Sequence, residues 1–202
     1  MHQETVLVPG PRAVEATLDE PDDGAETCIV ACPPHPQYGG HRGDRRLGAI
    51  SDYLVERGIA VLRFDYGSWD EGRAEREDAK RALAWAAERF DRVGLVGFSF
   101  GGAMAAAAAA TTDLALCVTV LLAPAAQVEA DLGAAAAIAG IDAPLRVVHG
   151  TRDSTAEWEP YVEAATERGA SIVALAADHF FVGQAAKVGA AVGEFVVEHC
   201  GD

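Results

Sequence analysis

A chain of 202 residues, half of them hydrophobic, is long enough for one domain, residues 1–202, with a substantial core. Its 31 acidic residues against 16 basic ones give a net charge of −15, which argues against nucleic acid and anionic membranes as partners. Scattered glycines and prolines exclude a collagen-like or low-complexity chain.

Only Lys80 and Lys187 are lysines, a bias that fits either a high-salt habitat or a GC-rich genome. The N-terminus turns acidic before any apolar run reaches signal-peptide length. The most apolar stretches, 103–110 and 115–126, are too short and interrupted to span a bilayer, so a cytoplasmic protein is expected. Cys28, Cys32, Cys117 and Cys200 are read as free, buried or half-buried thiols, because no second ligand pair supports zinc and four cysteines make no disulfide framework.

Short apolar runs alternate with longer helical patterns, the signature of a mostly parallel sheet flanked by helices. Strands are expected at 5–8 and 13–18, an antiparallel pair across Pro9-Gly10-Pro11. A buried strand at 27–31 ends at Cys32-Pro33-Pro34. A helix at 44–57 stops at Gly58, a strand follows at 60–64, and a long charged helix runs over 71–89. The strand 92–98 runs straight into Ser99, followed by an alanine-rich helix at 101–112, apolar all round as in a buried helix. Strands at 115–122 and 145–149, a helix at 157–168, a strand at 171–175 and a helix at 184–199 complete about eight strands. Between the strands ending at Leu122 and starting at Leu145 there is room for one short alanine-rich helix, so no cap domain is expected.

Gly97-Phe98-Ser99-Phe100-Gly101 reads G-x-S-x-G between a strand and a helix of small residues. A serine on so tight a turn has strained backbone angles, and glycine is needed two positions to either side. Asp153 lies just past the strand at 145–149, and His179 just past the strand at 171–175. Catalytic groups in open α/β sheets sit outside the carboxyl ends of strands, so Ser99, Asp153 and His179 are the candidate nucleophile, orienting acid and base. The backbone N–H of Phe100 is one expected oxyanion donor. The loop Pro33-Pro34-His35-Pro36-Gln37-Tyr38-Gly39-Gly40 supplies the other, from Gln37 or Tyr38, with Gln37 preferred; His35 braces this loop. Tyr38 is also a candidate substrate contact. His149 closes a strand and is expected to pack, and Asp178 stands too close to His179 in sequence to support its ring.

Taken together, these residues resemble a small α/β-hydrolase of the dienelactone-hydrolase-like branch, above all small bacterial and archaeal hydrolases with an H-P-H-P-x-x-G-G loop. Here that loop is Pro34-His35-Pro36-Gln37-Tyr38-Gly39-Gly40, preceded by Pro33 with no leading histidine. Similarity also touches Arg63-Phe64-Asp65-Tyr66 and the segments 97–102, 150–153 and 178–181. Dienelactone hydrolases use a cysteine nucleophile, so the serine here does not imply their substrate. The segment Gly67-Ser68-Trp69-Asp70-Glu71-Gly72 departs from the R-G-x-G-x-S loop of such families. The resemblance implies the α/β-hydrolase fold and an acyl transfer to water on small esters or thioesters, without cofactor or metal. An acyltransferase or a peptidase on the same triad, or a non-catalytic binding protein, are the rival readings; the sequence is silent on oligomeric state.

Overall fold

The computed structural model describes residues 1–126 and 133–201. β1 (His2–Val8) and β2 (Val14–Glu20) form the expected antiparallel hairpin, and β2 pairs antiparallel with β4 (Ala60–Phe64). From β4 onward all pairings are parallel, through β3 (Thr27–Cys32), β5 (Arg92–Phe98), β6 (Leu116–Leu122), β7 (Leu145–Gly150) and β8 (Ser171–Leu175). The sheet order is β1-β2-β4-β3-β5-β6-β7-β8, eight strands as the alternation of patterns predicts.

Central strands read as continuous apolar runs because helices cover both faces of the sheet; every residue of β3 is buried. One face is covered by α1 (Arg45–Val55) and α6 (Ala185–Cys200), whose buried stripes include Leu47, Ile50 and Leu54, and Val188, Val192 and Val196. The other carries α2 (Arg73–Ala87), α3 (Phe100–Thr111), α4 (Ala134–Gly140) and α5 (Glu159–Arg168). All residues of α3 from Phe100 to Ala109 are buried, and alanine side chains let this helix lie close against its neighbours. The helix α4 is the short alanine-rich element expected between β6 and β7; residues 127–132 of that connection lie outside the described ones.

Chain order reverses around β3, which has β4 on one side and β5 on the other. Such a reversal opens a crevice at the carboxyl ends of the strands, since the loops leaving them turn to opposite faces. Both the Pro33–Gly40 loop and Ser99 leave the sheet there.

Two sequence expectations are corrected. The helix expected over 71–89 begins at Arg73: Glu71 adopts φ 54°, and the Glu75 side chain turns back to accept the Gly72 N–H at 2.8 Å, ending the loop there. Cys117 and Cys200 are not free thiols but a disulfide, with Cα atoms 5.5 Å apart, tying the start of β6 to the end of α6. Cys28 and Cys32 are free and buried, and burial pushes both thiols well above their ordinary pKa, leaving them inert as nucleophiles. Among the described residues no helix is long and apolar enough to cross a membrane.

Candidate active site

Ser99 sits between β5 and α3 with φ 57° and ψ −119°, a conformation that costs a non-glycine residue of order 1–3 kcal/mol. The turn is over-determined: Ser99 N–H donates to Leu122 O at 2.9 Å, and Ser99 O accepts from Gly102 N–H at 2.9 Å and Ala125 N–H at 3.1 Å. A Cβ on Gly97 would collide with the Gly101 carbonyl, and one on Gly101 with the carbonyls of Cys32 and Pro33. Both glycines of the motif are therefore required by backbone approach.

The turns after β7 and β8 are stapled together. Thr151 N–H donates to Leu175 O at 2.8 Å and Arg152 N–H to Ala177 O at 3.0 Å. These bonds bring Asp153 to His179, both nearly buried at 9% and 4% exposure. His179 Nδ1 lies 2.7 Å from Asp153 Oδ2, and Nε2 lies 2.9 Å from Ser99 Oγ. A carboxylate can only accept, so Nδ1 carries the proton and Nε2 turns its lone pair toward the serine hydroxyl. The other Asp153 oxygen accepts Thr155 N–H at 2.9 Å and Ala156 N–H at 3.1 Å. Asp153 thus both orders the turn and orients the ring.

Neighbouring side chains lock this row. The Trp158 ring stacks on His149 at 4.0 Å, and its Nε1–H donates to Asp153 O at 3.3 Å, so His149 packs as the sequence suggests. Asp178 accepts the Phe180 N–H at 3.0 Å and does not support the ring of His179. The sequence alone does not mark Arg46 as part of the site. Its guanidinium lies 4.2 Å from the Phe98 ring, pairs with Asp44, and donates to Phe180 O at 3.1 Å, linking α1 to the loop that carries His179. An Asp at a helix N-cap followed two residues on by Arg is the only sequence trace of this link.

The two oxyanion expectations fare differently. Phe100 N–H opens α3 with no partner among the described residues, a helix-terminal donor of the kind that attracts negative charge. In the opposite loop, Gln37 N–H is engaged by His35 Nδ1 at 3.2 Å, and Tyr38 N–H by His35 O at 3.1 Å. Pro33, Pro34 and Pro36 have no N–H. Gln37 does not line the cleft beside Ser99; His35 does, and its N–H has no partner among the described residues. The physical reason is local: the His35 imidazole caps the short 3-10 turn Pro36–Tyr38, which uses up the amides expected to point at substrate. Tyr38 lines the cleft and is 87% exposed. The cleft has a volume of about 370 Å³ and runs from Tyr38 past Ser99 to Phe180.

Burial lowers the pKa of both His35 and His149 below the ordinary histidine value, since each imidazolium would lose hydration. The unfolded chain therefore binds more protons than the folded one just below pH 6.5, the ordinary value. The stability these neutral rings provide is present above that pH and is lost as pH falls through it. In 0.5 M KCl, which screens carboxylate repulsion, the Tm should drop between pH 7.5 and 5.5, and by less in His149→Gln. A drop equally large in that variant would remove His149 from the account.

The comparisons with known proteins bear on the fold. The family model for X-Pro dipeptidyl-peptidase (S15 family) matches residues 38–136, just under half of the chain, including Ser99 but neither Asp153 nor His179. No curated protein sequence matches the chain. A lidless α/β serine hydrolase from Xanthomonas campestris superposes with a TM-score of 0.82 at 22% identity, covering 98% of this chain and 95% of that one. Est1E from Butyrivibrio proteoclasticus gives 0.82 at 20% identity, covering 98% and 99%. An esterase from Pyrococcus furiosus gives 0.82 at 16% identity, covering 98% and 91%. Strand order, the strained serine after β5 and these superpositions establish that the chain has the α/β-hydrolase fold.

Proposed function

We propose that the protein is a serine hydrolase that cleaves small esters through an acyl-enzyme on Ser99. The observation that carries this reading is the single ring of His179, hydrogen-bonded to Ser99 Oγ on one side and to Asp153 on the other. As Oγ attacks a carbonyl carbon, its proton passes to Nε2, and Asp153 stabilises the resulting imidazolium. The carbonyl oxygen, now negative, accepts from Phe100 N–H and from His35 N–H, which takes the place expected of Gln37. The proton on Nε2 then goes to the leaving alkoxide, and water repeats the sequence to free the acid. The reading calls on no metal or cofactor.

Esters are favoured by the neighbours: the Pyrococcus furiosus protein is described as an esterase, and Est1E has been solved with ferulic acid bound. Thioesters remain within reach of the same apparatus. The dienelactone-hydrolase-like branch, on the Pro34–Gly40 loop, and a cytoplasmic setting are the finer parts of the reading. Tyr38, at the mouth of the cleft, is proposed to contact substrate. A peptidase is the second reading, favoured by the S15 family match.

A panel of p-nitrophenyl esters, a thioester and an X-Pro p-nitroanilide separates these readings. A cleft of this size offers little apolar surface to a long chain. Acetate and butyrate esters should therefore show kcat/KM at least about tenfold above laurate. Faster turnover of laurate would contradict the small-substrate reading, and turnover of the anilide alone would favour the peptidase.

A further inference from the structure

The loop between β4 and α2 takes no part in the chemistry proposed above, yet two buried carboxylates pin its backbone. Gly67 N–H donates to Asp78 Oδ2 at 3.0 Å, Asp70 N–H to Glu75 Oε1 at 2.9 Å, and Gly72 N–H to Glu75 Oε2 at 2.8 Å. Both carboxylates are completely buried. Arg12, reaching across from the β1–β2 turn, lies 3.5 Å from Glu75 and 3.2 Å from Asp78 and donates to Ser68 O; Arg81 pairs with Asp78 at 2.5 Å. Two successive residues, Glu71 and Gly72, hold φ values of 54° and 88°. Burying carboxylates and straining a backbone both cost free energy, so a loop fixed this way is expected to place something.

What it places is Trp69. The indole lies 4.4 Å from the His35 ring and 5.5 Å from the Phe100 ring, and those two rings lie 4.8 Å from each other. Tyr66 closes the group edge-on to Phe100 at 5.6 Å. His35 and Phe100 are the residues whose backbone N–H groups bind the oxyanion in the reading above. Each ring hangs on the Cα that carries its own amide nitrogen, so the ring cluster joins the two donors on their side-chain side. Trp69 is not among the residues lining the cleft.

We propose that Trp69 is a positioning residue for the oxyanion hole: it clamps the His35 and Phe100 rings and so fixes the separation of their N–H groups. This rests on the serine-hydrolase reading. An oxyanion donor matters more to the transition state than to bound substrate, and displacements near 1 Å are enough to lose it. Loss of the indole should therefore lower kcat and leave KM nearly unchanged.

The test uses Trp69→Leu and Trp69→Phe, with p-nitrophenyl acetate as substrate and an alkyl trifluoromethyl ketone as inhibitor. In the inhibited enzyme Ser99 Oγ bonds to the ketone carbon, its proton moves to His179 Nε2, and the carbonyl π pair becomes an alkoxide in the hole. Trp69→Leu should lower kcat about tenfold or more, keep KM within about twofold, and weaken the ketone by the same factor as kcat/KM. Trp69→Phe, which keeps a ring, should fall between Leu and wild type and serves alone if the leucine variant does not fold. Retention of kcat within about twofold, or a loss of kcat with unchanged ketone affinity, would overturn the proposal. If wild type is no more active than Ser99→Ala, the hydrolase reading fails and takes this proposal with it.

Discussion

Asp153→Asn should lower kcat about ten-thousand-fold while the protein stays folded, the loss seen for the equivalent change in serine proteases. The reason lies in the two faces of this carboxylate. One oxygen is committed to the N–H groups of Thr155 and Ala156, the other to His179 Nδ1. An asparagine can keep its oxygen on the backbone donors only by presenting its NH2 to the ring. Nδ1 must then accept, Nε2 carries the proton, and Ser99 loses its base. Flipping the amide instead sets NH2 against two N–H donors. Ser99→Ala should be at least as damaging, and the double variant little worse than Ser99→Ala, because the groups act as a unit. Steady-state kinetics with p-nitrophenyl acetate, beside circular dichroism to check folding, measures this. Retention of a tenth of the activity would place the acid elsewhere. Asp178 and Asp65 are poor substitutes, being engaged with Phe180 N–H and with Arg42.

The largest expected effect on stability comes from the disulfide. Cys117 and Cys200 are 83 residues apart, and closing a loop of that length in the unfolded chain is worth about 4.5 kcal/mol on the chain-entropy account. Replacing both by Ala should lower Tm by roughly 9–18 °C for a protein of this size. Thiol labelling of the native wild type should be negligible, since the remaining cysteines, Cys28 and Cys32, are buried, and two thiols should appear only on unfolding without reductant. A double variant with unchanged Tm would show that the bond adds nothing to the fold. Such bonds persist mainly in oxidising compartments, so this result bears directly on the expectation of a cytoplasmic setting.

The parts of the site that were legible in the sequence are those set by local rules. A buried strand, a serine between glycines and a helix of small residues can be read within a dozen positions, because backbone contact around Gly97 and Gly101 excludes other side chains. Asp153 and His179 are candidates by the rule that function collects at the carboxyl ends of strands. What the sequence concealed depends on distant partners. His2 belongs to β1 although the first residues of that strand show no buried face, because pairing with Glu20 orders it. The Cys117–Cys200 bond requires α6 to return to the start of β6, which spacing along the chain does not reveal. Gln37 reads as a donor until its neighbour is considered; a ring acceptor at His35, two residues earlier, is the signal that its amide is already spent. The contacts of Trp69 with His35 and Phe100 span 34 and 31 residues and leave no local pattern at all.

Covalent labelling with a fluorophosphonate, followed by mass mapping of the adduct, tests the central claim most directly. The probe forms a bond to a serine only where a neighbouring base has activated it. One adduct per chain is expected, on Ser99, absent in Ser99→Ala and formed at least about a hundredfold more slowly in His179→Ala. No adduct on the folded wild type, or an adduct at another residue that persists in Ser99→Ala, would contradict it.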